Sequence, residues 1–171
     1  MLSPDFVARL RSLLPVERVL TDTVDCFAYA YDNSRRFCPP DVVVFPVTGL
    51  EVQEVLVLCN RYKTPATPRG RGTGTAGGSL PEQGAVALSL ERMQRILSVD
   101  AANRVIVAEP GVVNESVQDA ARVHGFFWPP DPSSAAYSSI GGNLATSAGG
   151  PHAVKYGTTR DHVLGLKAVT G

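Results

Sequence analysis

Pro68-Arg69-Gly70-Arg71-Gly72-Thr73-Gly74-Thr75-Ala76-Gly77-Gly78 puts five glycines into eleven residues, directly after a short extended stretch, Thr64 to Arg69. Glycine lets successive main-chain N–H groups turn into one concavity and lets a bulky anion approach the backbone, so the stretch reads as a pyrophosphate loop. The hydroxyls of Thr73 and Thr75 add donors, and Arg69 or Arg71 would offset the ligand's charge. The bland alternative is a glycine loop that only turns the chain. Gly72 to Gly77 also spells the GxGxxG string of dinucleotide-binding Rossmann folds. That fingerprint must open a helix facing the pyrophosphate, and Gly78, Pro81 and Gly84 interrupt the turns that would form it. No GxxxxGK[ST] string occurs, which argues against a phosphate-loop NTPase.

Upstream of the loop, Val42-Val43-Val44-Phe45, closed by Pro46, is the run expected of a strand buried on both faces in a parallel sheet. Thr48, with Glu51 three residues on, caps a helix reaching about Asn60, with Val52, Val55, Leu56 and Cys59 along one face. Strand then helix is the first half of a βαβ unit, which sends Thr64 to Arg69 back alongside the Val42 strand before the loop begins. Asp5 to Leu14, stopped by Pro15, reads as a short amphipathic helix, and Thr21 to Pro40 as an irregular crossing loop. Beyond the loop, Val86 to Ser89 reads as a further strand.

After Met93 the character changes. Ile96 to Val99 and Arg104 to Ala108 are strand-like runs joined by Asp100-Ala101-Ala102-Asn103, a hairpin connection. Asn114 to Val123 has helical spacing and ends at His124-Gly125, and Phe126-Phe127-Trp128 reads as another strand. Val163 to Gly171 reads as a final strand with no partner, so this part of the chain is expected to be incomplete. An open strand of that kind predicts self-association, or dependence on a missing segment.

Between these elements lies a second constellation: Pro129-Pro130-Asp131-Pro132-Ser133-Ser134, then Ser139-Ile140-Gly141-Gly142-Asn143-Leu144-Ala145-Thr146-Ser147-Ala148-Gly149-Gly150, then Lys155-Tyr156-Gly157. Two glycine-dense loops can clasp a long ligand at two places, and FAD is long. Small residues admit a flat isoalloxazine edge, and Asn143, Thr146 and Ser147 are candidates to hydrogen-bond its heteroatoms.

With these motifs in this order, the chain resembles the FAD-linked oxidase family of vanillyl-alcohol oxidase and p-cresol methylhydroxylase. The likeness is strongest to the glycolate oxidase D subunit and D-lactate dehydrogenases, and it covers nearly the whole chain. It implies a mixed fold (α+β / α/β) of the p-cresol methylhydroxylase type. Two small FAD-binding subdomains are expected, at residues 1–95 and 96–171, with the flavin between them and the second subdomain truncated. It assigns Arg69, Gly70, Arg71, Gly72, Thr73, Gly74 and Thr75 to the pyrophosphate loop, with Gly77 and Gly78 at its exit. To the flavin's other contacts it assigns Pro130, Asp131, Ser133, Ser134, Gly141, Gly142, Asn143, Thr146, Gly149, Gly150, Tyr156 and Gly157. Ser147 stands where the family usually has asparagine.

The implied activity is oxidation of a D-2-hydroxy acid such as glycolate or D-lactate by hydride transfer to FAD. Electrons then pass to a partner subunit or other acceptor. In the family the substrate is held by a further domain absent here, so no catalytic residue is assigned. The competing reading is a non-catalytic remnant or binding module that no longer holds FAD; an NAD-binding Rossmann domain comes third.

Sixteen basic and sixteen acidic side chains leave no surplus charge for a phosphate backbone, which excludes nucleic acid as a partner. Cys26, Cys38 and Cys59 form neither a CxxC pair nor a disulfide framework and read as reduced thiols. His124, His152 and His162 have no metal-ligand spacing; His152 either approaches the flavin or, the favoured reading, is a loop residue. No signal-peptide core or long apolar span is present, so a cytoplasmic location is expected, with no transmembrane segment.

Overall fold

Side chains along a strand point alternately to opposite faces, so an unbroken apolar run such as Val42 to Phe45 is stable only between two covering layers. A computed structural model describes residues 2–171 and shows how these layers are supplied. The chain forms two compact units. One ends at Arg92 and includes Ala168–Gly171; the other is Met93–Lys167. In chain order the first holds α1 (Pro4–Leu13), β1 (Val19–Leu20), α2 (Thr23–Phe27), β2 (Val42–Val44), α3 (Gly49–Tyr62), β3 (Ala66–Arg69) and β4 (Val86–Ser89). The second holds β5 (Ile96–Asp100), β6 (Val105–Ala108), α4 (Asn114–Arg122), α5 (Ile140–Ala145) and α6 (Ala153–Tyr156).

The first unit is built on a four-stranded sheet of order β1-β2-β4-β3, parallel except for β1. Val42 pairs with Val86 and Val44 with Leu88, and these four point into a core with Phe6, Leu10 and Leu14 around α1 and Val55, Leu58 and Cys59 of α3. Val43, Ala87 and Phe45 point the other way, onto Cys26 of α2 and Tyr29. The segment Thr21 to Pro40 is therefore more than a crossing loop: it contains α2 and covers the sheet's second face. The expected place of Thr64 to Arg69 also needs correcting. It forms β3, but β3 pairs with β4 and not with β2, because the crossover through α3 leaves one strand position that Val86–Ser89 fills. Pro68 fits this placement, since a residue without an N–H is tolerated at a sheet edge.

α3 starts as the sequence predicts, with the Thr48 hydroxyl accepting from the Glu51 N–H at 3.1 Å. The Glu51 carboxylate turns elsewhere. It accepts from the Val47 N–H at 2.7 Å and takes two hydrogen bonds from the Arg18 guanidinium, at 2.7 and 3.0 Å, tying the entry of β1 to the start of α3.

In the second unit, β5 and β6 form the expected antiparallel hairpin. Asp100 accepts from both the main chain and the amide of Asn103 in its turn, and Arg104 follows in a left-handed conformation, φ 56°. The buried Glu109 carboxylate takes three hydrogen bonds from Arg95 at the hairpin's base. Two expected strands are absent. Phe126 to Trp128 forms no strand, because its donors turn back onto α4: Phe126 N–H to the Ala121 carbonyl, Trp128 N–H to the Gln118 side chain. Residues 163–171 form no strand either, and Leu164 and Leu166 lie exposed, so the open final strand from which self-association was expected does not exist. No helix among the described residues is long and apolar enough to cross a membrane.

Two measurements check this packing. Hydrogen bonds from Arg18 above all, and then from Val47, outweigh burial and hold the Glu51 carboxyl below its ordinary value of 4.5. An acid depressed in the folded state stabilises the fold at neutral pH, and that contribution is lost as pH falls through the folded value. Glu51→Gln should therefore lower stability at pH 7 by about 2 kcal/mol, and the gap to the parent should narrow in urea titrations as pH falls below the carboxyl's ordinary value. Burial pushes the Cys59 thiol up to about 11 and also raises Cys26, whereas Cys38 is only partly buried. A thiol reagent at pH 8 is expected to modify Cys38 in the folded chain and to reach Cys26 and Cys59 only in denaturant.

Candidate functional site

β3 ends at Arg69, and the glycine loop leaves from the carboxyl end of this parallel strand, where α/β sheets characteristically receive ligands. No helix follows it; the chain runs as bends and turns to Leu80. Among the described residues, no main-chain N–H from Gly72 to Ser79 donates to a protein acceptor, and the one turn closing the loop is Leu80 N–H to the Gly77 carbonyl. Gly72 and Gly77 take φ of 67° and 82°, where a side chain would be strained, and nothing stands within 4 Å of a β-carbon placed on Gly74 or Gly78. The result is an open-sided rim of donors.

Arg69 does not take the part its charge suggested. Its side chain is 6% exposed and lies beneath Gly72, close enough that a β-carbon there would strike the guanidinium. It donates to the carbonyls of Tyr31 (2.8 Å) and Ser79 (3.4 Å) and stands 5.6 Å from the centre of the Tyr29 ring. Burial pulls the guanidinium below its ordinary value, and the charge of Asp32 works against that pull. Burial would raise the Asp32 carboxyl in turn; hydrogen bonds from Ser34 and Ser79 and the charge of Arg69 outweigh it and keep the group ionised. Arg69 is therefore the loop's internal scaffold, whereas Arg71, on the loop itself, is exposed. The sequence reading missed the segment that lines the loop: Asn33 Nδ2 donates to the Thr73 carbonyl at 3.3 Å, and the Arg36 side chain lies against Gly77. Asp32-Asn33-Ser34, a run of turn-forming residues amid aromatics, was the available signal.

In the second unit the expected glycine loop is partly a helix. Ser139 caps α5, and Gly141 and Gly142 lie inside it; a β-carbon on Gly141 would come within 2.7 Å of Pro110, so this glycine serves close packing. The three side chains expected to meet the flavin are engaged internally. With the Asn114 amide turned so that its oxygen faces donors, Asn143, 3% exposed, donates to that oxygen at 2.8 Å, beside Trp128 Nε1 at 3.2 Å, while the Asn114 amide nitrogen donates to the Pro130 carbonyl. The Thr146 hydroxyl donates to the Gly142 carbonyl. Thr158 gives its single hydroxyl proton to Asp161, so Ser147 is the donor in the 2.8 Å bond between Ser147 and Thr158. Ser147 has φ 48°, a conformation asparagine adopts more readily than serine.

Asp131 and His152 form a clasp: the carboxylate accepts from the His152 N–H at 3.0 Å, and the ring Nδ1 stands 3.0 Å from its second oxygen. His152 lies in the turn before α6, with its ring held against Asp131. Gly150, φ 124°, passes so close to Asp131 that no side chain fits, and Gly157, φ 88°, lies against Asp161. The exposed Tyr156 ring meets Phe127 edge-on, 5.2 Å between centres. What remains open here is narrower than expected: the main-chain N–H groups of Ser133, Ser134, Gly149 and Gly150 and the two serine hydroxyls have no partner among the described residues.

A family described as FAD binding domain matches residues 40–171. The chain belongs to this family. FAD is the cofactor of this FAD-binding domain, and the unengaged donors of residues 72–79 fit its anionic diphosphate. The chain is 39% identical over 142 residues to glycolate oxidase subunit GlcD of Bacillus subtilis, covering 82% of this chain and 30% of that protein. It is 37% identical over 172 residues to D-2-hydroxyglutarate dehydrogenase of Stutzerimonas stutzeri, covering 100% of this chain and 37% of that protein. The domain thus spans about a third of the length of these curated relatives. Its fold is shared with alkyldihydroxyacetonephosphate synthase (TM-score 0.84, 24% identity, 94% of this chain and 35% of that one). It also matches p-cresol methylhydroxylase with substrate bound (TM-score 0.73, 25% identity, 84% of this chain and 29% of that one).

The glycines separate by role, and alanine substitution reads this out. Gly150→Ala should destabilise the domain by about 2 kcal/mol or more, through backbone strain and the clash with Asp131, whereas Gly74→Ala should leave the melting temperature within about 2 °C of the parent.

Proposed function

We propose that this domain holds the FAD of an enzyme that oxidises a D-2-hydroxy acid such as glycolate, D-lactate or D-2-hydroxyglutarate. The observation that carries the reading is the rim of unengaged N–H groups from Gly72 to Ser79 on a loop scaffolded from beneath by Arg69. The relatives supply the substrate class: each is named for a glycolate, D-lactate or D-2-hydroxyglutarate activity, and these acids share a carboxylate with a hydroxyl on the adjoining carbon.

In this reading Gly70, Gly72, Thr73, Gly74 and Thr75 bind the diphosphate through main-chain donors, Arg71 adds charge, and Gly77 and Gly78 keep the loop's exit open. In the second unit, the turn at Pro130 to Ser134 and the Gly149-Gly150 turn carry the donors available to FAD. Gly141, Gly142, Asn143, Thr146 and Gly157 act one step back, by fixing the shape of that turn, and Tyr156 offers an exposed aromatic edge. FAD, when bound, supplies the two-electron acceptor for the hydride that leaves the hydroxyl-bearing carbon. The donors fixed by this chain hold that acceptor in one place, which hydride transfer requires. Passage of electrons to a partner subunit belongs to the same proposal, as does a cytoplasmic location.

Incubation with FAD followed by gel filtration should leave flavin absorbance bands on the protein peak, and Gly74→Ala should reduce them at unchanged melting temperature. A folded parent that elutes colourless would overturn the reading and favour a module that has lost the cofactor. For the substrate class, the flavoprotein from its native source should bleach anaerobically with one of the three acids, and with the D form of the two chiral ones; bleaching by none of them would remove the hydroxy-acid assignment.

A further inference from the structure

We propose that Arg36 supplies a second wall of the diphosphate site, pairing with the cofactor's phosphate charge from a segment that precedes the residues the family match covers. The inference rests on the reading of Gly72 to Ser79 as the diphosphate loop. The family match begins at residue 40, and no glycine motif extends upstream of it. Residues 31–36 nevertheless touch the loop along its length. The Tyr31 carbonyl accepts from Arg69, the Asp32 carboxylate accepts from the Ser79 hydroxyl at 3.2 Å, and Asn33 donates to the Thr73 carbonyl. Arg36 completes the series: its Nη1 and Cδ lie 3.6 and 3.7 Å from the position a β-carbon on Gly77 would take.

The local chain aims this side chain. Asp32 accepts from the Ser34 N–H at 2.8 Å, the Ser34 hydroxyl accepts from the Arg36 N–H at 3.3 Å, and Arg35 between them turns the chain with φ 63°. Charge then decides what Arg36 does. Arg9, Arg18, Arg95 and Arg122 each pair with a carboxylate, and Arg69 is buried over Asp32. Arg36 is exposed and has no carboxylate within ion-pairing distance among the described residues. It stands beside a rim of N–H groups that are likewise without acceptors. An unpaired guanidinium beside unaccepted N–H donors is satisfied together with them by one anion, and a guanidinium fork matches phosphate oxygens in two parallel hydrogen bonds. Arg36 thus joins Arg71 in the charge-offsetting role that the sequence suggested for Arg69 or Arg71.

The test is FAD affinity of the whole chain, followed by flavin fluorescence at low and high salt, for the parent, Arg36→Gln, Arg36→Lys and the control Arg61→Gln on the exposed side of α3. Removing a charged hydrogen-bond donor from a phosphate should weaken FAD roughly ten- to a hundredfold and flatten the salt dependence of Kd. Lysine should recover part of the loss, Arg61→Gln should change little, and all four unliganded proteins should melt together because Arg36 is exposed. Equal FAD affinity in the parent and Arg36→Gln would overturn the role of Arg36 alone. A parent that binds no FAD would overturn the loop reading and this inference with it.

Discussion

A buried guanidinium must have its donors met, and in this chain the way Arg69 is met shapes the cofactor loop. The side chain enters from the last residue of β3, passes under Gly72 and reaches carbonyls of Tyr31 and Ser79, with Asp32 balancing its charge. At the loop's end the Ser79 carbonyl is drawn onto this cation, while the N–H groups from Gly72 to Ser79 have no protein acceptor and are left for an anion. Gly72 has to be glycine because the guanidinium occupies the place of its side chain. Polar groups below and donors above are two sides of one arrangement.

Much of this was legible in the chain before any coordinates. Val42 to Phe45 declares a two-faced buried strand, Thr48 and Glu51 mark the start of α3, and the glycine density after Arg69 marks the loop, because each depends on short-range rules of periodicity, capping and main-chain freedom. The misreadings share a cause: they concern partners distant in sequence. That β3 pairs with β4, that the donors of Phe126 and Trp128 turn to α4, and that Asn143 faces Asn114 are outcomes of packing, and no local pattern encodes them. Arg69 and Arg36 show the same limit in the site. Both are arginines near a glycine loop; burial makes one a scaffold and exposure leaves the other available to a ligand.

The second unit reaches a similar end by other means. Several of its glycines serve close approach: Gly141 against Pro110, Gly150 against Asp131, Gly157 against Asp161. A motif dense in glycine, serine and asparagine can thus be read correctly as a family signature while most of its polar atoms are engaged with one another. The Asn114–Asn143–Trp128 cluster illustrates this, since each of its polar side chains answers another and together they fix the turn that presents Ser133 and Ser134.

The sheet of the first unit also bears on how the domain behaves in concentrated solution. Its two margins are β1, only two residues long, and β3, which carries Pro68. A two-residue strand offers little to copy, and a proline interrupts any ladder that a neighbouring chain might add. The domain can therefore keep a parallel sheet rich in valine at its centre while denying amyloid-like stacking a template at either side. Replacement of that proline by a β-branched residue would reopen one border to fibrous aggregation without touching the core.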